Sequence, residues 1–465
     1  MWIFFQKSDK ILDIRIKNMK LKTRRIIALT FIIAFLITAP ILILYTAGYR
    51  YNFKKNELKK TGALFLETEP KGADVYLNDI QRKETTPAHI TNVFPNTYKI
   101  RLEKQGYYNW EKELEIKASQ TTFSEDIILF KNSSPISIET GEEVLELYQT
   151  DDCIMAVFTE KVRSQNDISF NCLDDDNKFE IISTNKRDTD ILSWSPSKNK
   201  FLIINGDKSG YQILSSNNTY SQTLNLPLTT NRIKWDLKNE HLIYYSIDNQ
   251  IWQINLLGSQ PVYSLVHDFG NQQIMNFRTA GDKLYFISSG ANGNFLNLSD
   301  IKKPDANIKS IELPSANFVI DSLIDGHLIL LDNKKSNIYI LTENLSQTKI
   351  KQDGGSKYSY LEEQKLLIIY NDYEIFMFDL KEEVPQSNLI IRYSTTINKV
   401  DWFNDNYLIA LHDGKIKVIE LDNRENHNIW ELDSGNETVY NFILDKSKEN
   451  IYYLSKNKLW ELNIQ

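Results

Sequence analysis

The sequence holds only two cysteines, Cys153 and Cys172, in 465 residues. That number excludes a densely disulfide-stapled scaffold and leaves room for one bridge. Glycine (17) and proline (11) are scarce, which excludes a collagen-like or linker-dominated chain. The six histidines, at 89, 241, 267, 327, 412 and 427, include no close pair at ligand spacing. With neither HExxH nor CxxC, a zinc centre lacks its usual donors. GxSxG, P-loop and GxGxxG motifs are missing as well, so no acyl-transfer elbow or nucleotide cradle is announced. The expectation is a non-catalytic protein with no cofactor and no metal. A net positive charge is also lacking beyond the first 25 residues. Those carry eight Lys or Arg and two Asp, a net of +6; the whole chain is -7, so the other 440 residues sum to -13. A body that acidic lacks the basic face nucleic acid demands.

What is present favours β structure: 42% of residues are hydrophobic and 12% aromatic, with 24 Tyr and 22 Phe. Flat side chains pack well on pleated surfaces. The exception is residues 26–47, IIALTFIIAFLITAPILILYTA, which contain no charge. About 20 apolar residues cross the hydrocarbon core of a bilayer, whereas the apolar region of a cleaved signal peptide is roughly 7–15 long. The run also meets Tyr45, Tyr49 and Tyr51, which suit an interface. An uncleaved transmembrane helix is therefore expected, with Pro40 accommodated inside it. Lys17, Lys20, Lys22, Arg24 and Arg25 crowd its N-terminal side more densely than Arg50, Lys54, Lys55, Lys59 and Lys60 crowd the other. Positive-inside reasoning puts residues 1–25 in the cytoplasm and everything after the helix outside it. Met19 offers an alternative start, which would leave residues 1–18 either artefactual or a surface-lying helix.

After a juxtamembrane linker, 48–61, residues 62–130 alternate strand-like runs (ALFLET, ADVYLN, YKIRLEK, WEKELEIK, EDIILF) with turn signals. The pattern is that of a small antiparallel sandwich. The same residues resemble the PEGA domain family. Pro70, Lys71, Gly72 and Ala73 stand at the name-giving motif, followed by Tyr76, Pro87, and Gly106 with Tyr107. Lys71 replaces the usual Glu, and Asp79 and Asn96 stand where Gly is usual, at turns that accept positive φ in Asn or Asp. The resemblance implies an extracytoplasmic spacer or adhesion module of bacterial or archaeal surface proteins, with no catalytic residues.

The remaining chain repeats. Apolar strands begin at Cys153, Phe201, Leu242, Leu284, Leu328, Leu366, Leu408 and Ile451. From Phe201 onward the intervals are 41, 42, 44, 38, 42 and 43 residues. A second strand follows each by about ten residues, and an earlier one ends in Trp194, Trp235, Phe277, Trp402 or Phe442. Several short strands at this period describe a β-propeller. Asp248-Asn249 and Asp413-Gly414 serve as hairpin corners. Eight units fit residues 144–465, with seven as the alternative because 144–176 is least regular. The last unit has three strands, so a fourth must come from elsewhere, and residues 136–140 within the connecting segment 131–143 are the natural donor. Trp194-Ser195-Pro196 is similar to the strand-turn signature of periplasmic TolB and WD40-like propellers, a resemblance that speaks to fold alone.

Several residues admit two readings. Trp194, Trp235 and Trp402 could form a sugar-stacking surface, but their fixed place in the repeat points to blade cores. Asp174, Asp175 and Asp176 resemble a cation clamp, yet Asn177 and Lys178 follow without EF-hand spacing, so a solvated loop is expected. Cys153 opens one strand and Cys172 closes the next, ends that face each other in a hairpin. Either a disulfide joins them or both are buried thiols. The functional expectation is a membrane-anchored, extracytoplasmic binding or scaffolding protein of a bacterial cell envelope, with a protein or polysaccharide ligand. The alternative is an extracytoplasmic propeller hydrolase or lyase, whose carboxylates would converge on the central channel.

Overall fold

The computed structural model describes residues 20–53, 56–140, 142–162, 165–173, 179–185, 189–204, 210–227, 229–315, 317–332, 334–346, 348–435, 437–445 and 449–465. Met19 and the run Asp174, Asp175 and Asp176 lie outside them. The chain divides into two compact units, Met1–Leu129 with Arg424–Asn426, and Phe130–Asn423 with His427–Gln465.

In the first unit a 26-residue helix, Leu21–Thr46, buries none of its side chains. At 1.5 Å per residue it is about 39 Å long, more than a bilayer core requires. The helix is long and apolar enough to cross a membrane. Three of its hydroxyls are satisfied within it: Thr30, Thr38 and Thr46 donate to Ile26, Ala34 and Leu42 carbonyls one turn back, each at 2.9 Å. Behind it, where the sequence suggests a linker, the strands Tyr49–Asn52 and Glu57–Lys60 pair as a hairpin. The Arg50 guanidinium lies 3.8 Å over the Tyr45 ring.

Seven further strands form a sandwich of two sheets. One orders Ala88–Val93, Gly62–Glu69 and Thr121–Ile128; the other orders Ile80–Thr85, Asp74–Leu77, Asn96–Glu103 and Trp110–Ile116. Alternate residues of Gly62–Glu69 and Trp110–Ile116 point inward, so Leu64, Leu66, Val75, Leu77, Ile100, Leu102 and Trp110 make the core. The expected antiparallel arrangement needs one correction: Gly62–Glu69 and Thr121–Ile128 run parallel. Two strands were also invisible in the sequence, Ile80–Thr85 and Ala88–Val93. Every residue of the first is exposed, so no buried periodicity marks it. Gly62 is required by close approach, because a Cβ there would meet the Lys117 carbonyl at 2.3 Å.

The motif residues form one turn. Thr86 Oγ1 accepts from Ala73 N at 2.9 Å and lies 2.5 Å from Thr68 Oγ1, while Gly72 N donates to Thr86 O at 2.7 Å. Gly72 has φ +86, which a Cβ would strain. Pro70 and Pro87 flank this clasp, both after cis peptide bonds. Tyr76 packs under Arg101, 4.3 Å from the guanidinium. Gly106 (φ +84) and Tyr107 form the turn after Asn96–Glu103, where Tyr107 N donates to Lys104 O. Asp79 has positive φ as expected (62), but Asn96 simply opens a strand.

The second unit is a ring of eight four-stranded antiparallel sheets. Blade 1 spans 144–185, blade 2 190–224, blade 3 231–268, blade 4 273–313, blade 5 318–352, blade 6 357–392, blade 7 397–431 and blade 8 441–463. Blade 8 takes its outermost strand from Ile136–Ile138, which pairs with Lys458–Asn463 in the register Ile136↔Glu461, Ser137↔Trp460, Ile138↔Leu459. The ring thus closes by joining both ends of the unit, and the last blade gains its fourth strand from before the first.

The second strand of each blade explains why the repeat is legible. In blade 7, Tyr407–His412 is buried at every position, because its two faces pack on two neighbours. In blade 6, Leu367 and Ile369 join a cluster with Ile329 and Ile340 of blade 5, while Ile368 and Tyr370 join Trp402 and Leu408 of blade 7. Similar clusters run from blade 1 through blade 5, and Ile443 and Tyr452 of blade 8 pack with Val144 and Ile154 of blade 1. Lys399 of blade 7 reaches the Phe442 carbonyl of blade 8. The outer strands, such as Ile429–Glu431, are largely exposed.

Candidate functional site

The inner strands surround a cavity of about 830 Å³, lined from blades 2 to 7 by residues that include Trp194, Lys234, Arg278, Asp321, Tyr358 and Asp401. A second hollow of about 350 Å³ shares Trp194, Lys198 and Asp401 with it and adds Tyr148, Lys399 and Ile443. Together they form the hub of the propeller, reached by every blade.

Four cations of the inner strands recur in the same role; Lys234, Arg278 and Lys399 line the hub, and Lys357 is exposed. Lys234 Nζ donates to Leu192 O (3.0 Å), Arg278 Nε to Ile320 O (3.2 Å), Lys357 Nζ to Asn398 O (3.1 Å) and Lys399 Nζ to Phe442 O (2.6 Å). Each bond links the inner strands of adjacent blades. Sequence reasoning missed these residues. Their signal was a charge inside a short strand, as in Ile233-Lys234-Trp235, which reads equally well as a solvated face.

Burial pushes the pKa of Lys234 down, with Arg278 adding to the effect and Asp321 opposing it. Arg278 is lowered by burial too, against the pull of Asp321 and the Tyr358 side chain. Lys399 is lowered by burial, with Asp401 opposing and Lys198 contributing. Opposite them, Asp321 accepts the Tyr358 hydroxyl, which lies 2.6 Å from Ser322 Oγ. Burial first, then Asp321, pushes the Tyr358 pKa up, so this phenol stays a donor. Asp401 accepts from Ser359 Oγ at 2.8 Å. Asp321 and Asp401, two of the five carboxylates in the lining, are therefore engaged by different hydroxyls, on blades 5 and 7.

The tryptophans differ in burial. Trp235 and Trp402 are 2% and 1% exposed and sit in blade cores, with Nε1 donating to Glu240 O and Ser359 O, each at 3.1 Å. Trp194 is half-buried, packs on Tyr148 and Phe201, and lines both hollows. The core reading thus holds for all three, since Trp194 packs against the cluster of Met155, Phe170 and Phe201 between blades 1 and 2. Among the described residues, no group of three His, Cys, Asp or Glu side chains could hold a metal ion.

Cys153 and Cys172 are bonded, with Cα atoms 5.9 Å apart. They are diagonal, not opposite, because Cys172 pairs with Met155. Thr150 Oγ1 accepts from Cys153 N at 2.9 Å and fixes that end. A bridge across 19 residues is worth about 3 kcal/mol through the unfolded chain. Thiol titration in denaturant without reductant should count no free thiols, and the Cys153→Ser/Cys172→Ser variant should unfold at lower denaturant. Two free thiols would contradict the bond.

Residues 61–126 match the PEGA domain family. No curated protein matches the chain in sequence. The chain is similar to several solved structures. Saccharomyces cerevisiae Sqt1 is 8% identical with a TM-score of 0.47, covering 72% of this chain and 99% of that one. The Cps50 (Swd1) β-propeller domain from Myceliophteria thermophila is 10% identical, with a TM-score of 0.37 and coverage of 72% and 100%. Kluyveromyces lactis Hsv2 is 10% identical, with a TM-score of 0.38 and coverage of 62% and 98%.

Proposed function

We propose that this protein is a membrane-anchored binding or scaffolding protein of a bacterial cell envelope. The helix Leu21–Thr46 spans the membrane, and the PEGA domain and propeller stand on its extracytoplasmic side. The observation that carries this reading is a helix with no buried residue on a chain whose other parts are a PEGA domain and a closed propeller. Lys20, Lys22, Arg24 and Arg25 at its start favour a cytoplasmic N-terminus. A disulfide in blade 1 suits an oxidising compartment. The PEGA domain acts as spacer, and the propeller recognises a protein or polysaccharide by binding, without turnover. In support, Asp321 and Asp401 are each engaged by a neighbouring hydroxyl.

Alkaline carbonate extraction tests the anchor. The full chain should stay with the membrane pellet and be released by detergent, and mass spectrometry of the mature protein should retain the helix. A mature chain beginning shortly after Ala47 would identify the helix as a cleaved signal and overturn the anchor.

A further inference from the structure

The hairpin that follows the apolar helix has two chemically different faces. Its register sets Tyr49 opposite Lys60 and Tyr51 opposite Leu58, with Arg50 opposite Lys59 and Asn52 opposite Glu57. Opposed residues share a face and neighbours along a strand alternate. Tyr49, Tyr51 and Leu58 therefore lie on one side, and Arg50, Lys59, Asn52 and Glu57 on the other. Phe53 extends the apolar side at the tip, its ring 5.0 Å from that of Tyr51. It is 84% exposed, with Tyr51 at 47% and Leu58 at 46%. Among the described residues no third strand joins this two-stranded sheet. A lone hairpin is only marginally stable in water and needs a further surface against its apolar face.

The helix keeps the hairpin close to one such surface. Leu21–Thr46 ends three residues before Tyr49. Arg50 fastens the two elements, its Nη1 donating to Tyr45 O and Tyr49 O at 2.8 Å each while the guanidinium lies over the Tyr45 ring. At the base of the hairpin, Thr61 N donates to Gly48 O at 3.0 Å. A connection this short holds the hairpin beside the plane where a spanning helix leaves the hydrocarbon. The charge suits that plane. By sequence, residues 49–60 hold Arg50, Lys54, Lys55, Lys59 and Lys60 against one acid, Glu57, which lies 2.8 Å from Lys59. Exposed aromatic rings beside an excess of lysine and arginine match the headgroup layer of an anionic bilayer.

We infer that the hairpin Tyr49–Lys60 docks on the membrane surface. Phe53, Tyr51 and Leu58 enter the headgroup layer of the leaflet in which the helix ends, and the basic side chains hold anionic lipid headgroups. This rests on the reading of the helix as a membrane anchor, but not on which side of the membrane the propeller occupies.

Hydrogen exchange of the full chain in lipid nanodiscs, read by mass spectrometry, tests it. One set of discs is phosphatidylcholine alone, and the other is two parts phosphatidylcholine to one part phosphatidylglycerol. Hairpin amides should exchange about tenfold more slowly in the discs with phosphatidylglycerol, the scale of two basic side chains at an anionic surface. Phe53→Ser, at an exposed position, and the double variant Lys59→Gln/Lys60→Gln should each remove most of that protection. Equal protection in both lipids would mean that protein, such as a second copy of the chain, covers the face. Fast exchange in both would mean that nothing does. Either result, or protection that survives both variants, would overturn the inference. Amides of the helix report the anchor in the same spectra. If they are slow in both lipids, the anchor stands whatever the hairpin does; a mature chain without them has lost the anchor, and the inference with it.

Discussion

Deleting residues 131–142 should lower the melting temperature of the propeller by on the order of 10 °C or prevent its folding, as read by circular dichroism of the full chain in detergent. The deletion removes the strand Ile136–Ile138 from blade 8. With it go Lys131 N to Ile464 O (2.9 Å), Lys131 Nζ to Asn463 Oδ1 (2.7 Å) and Ser133 Oγ to Asn463 O (2.6 Å). Ile138 is 8% exposed and packs with Leu459 and Val144. Its burial is worth about 1.5–3 kcal/mol, and each hydrogen bond about 1 kcal/mol. The sum, on the order of 5 kcal/mol, rivals the lower range of whole-domain stabilities. The edge left on Lys458–Asn463 would also invite aggregation. Ile138→Asp asks the same question without shortening the chain, by placing a charge in that packing. An unchanged melting curve for both variants would show that the ring does not depend on this strand.

Trp402→Ala should cost about 3–5 kcal/mol, the range for a buried aromatic truncated to Ala. Its ring joins the cluster between blades 6 and 7, and the Ser359 carbonyl loses the indole donor. Trp194→Ala should cost less, about 2 kcal/mol, because this residue is only partly buried. Chemical denaturation of the two variants measures the difference. Comparable losses would mean that Trp194 contributes to its blade core as fully as Trp402 does.

The repeat was readable because second strands such as Tyr407–His412 are buried on both faces and so are apolar throughout. Closure was readable too, since three strands in the last unit left one place for Ile136–Ile138. The outer strands were not: Val262–Asp268 and Ile429–Glu431 bury little, and burial is what writes periodicity into sequence. The clasp of Pro70, Gly72, Ala73 and Thr86 showed as a motif, because a turn at φ +86 restricts residue type locally. The hub did not show. Lys234, Arg278 and Lys399 come from three blades and meet only when the ring is closed, so nothing in their separate strands distinguishes them from solvated lysines and arginines.

Protease protection in intact cells tests the central claim most directly, using antibodies to the C-terminal tail and to the first 25 residues. After the outer layers are opened, external protease should remove the tail epitope and spare the N-terminal one, which places the propeller outside the cytoplasm. Protection of the tail until the membrane is lysed would contradict the account and make the propeller a cytoplasmic scaffold.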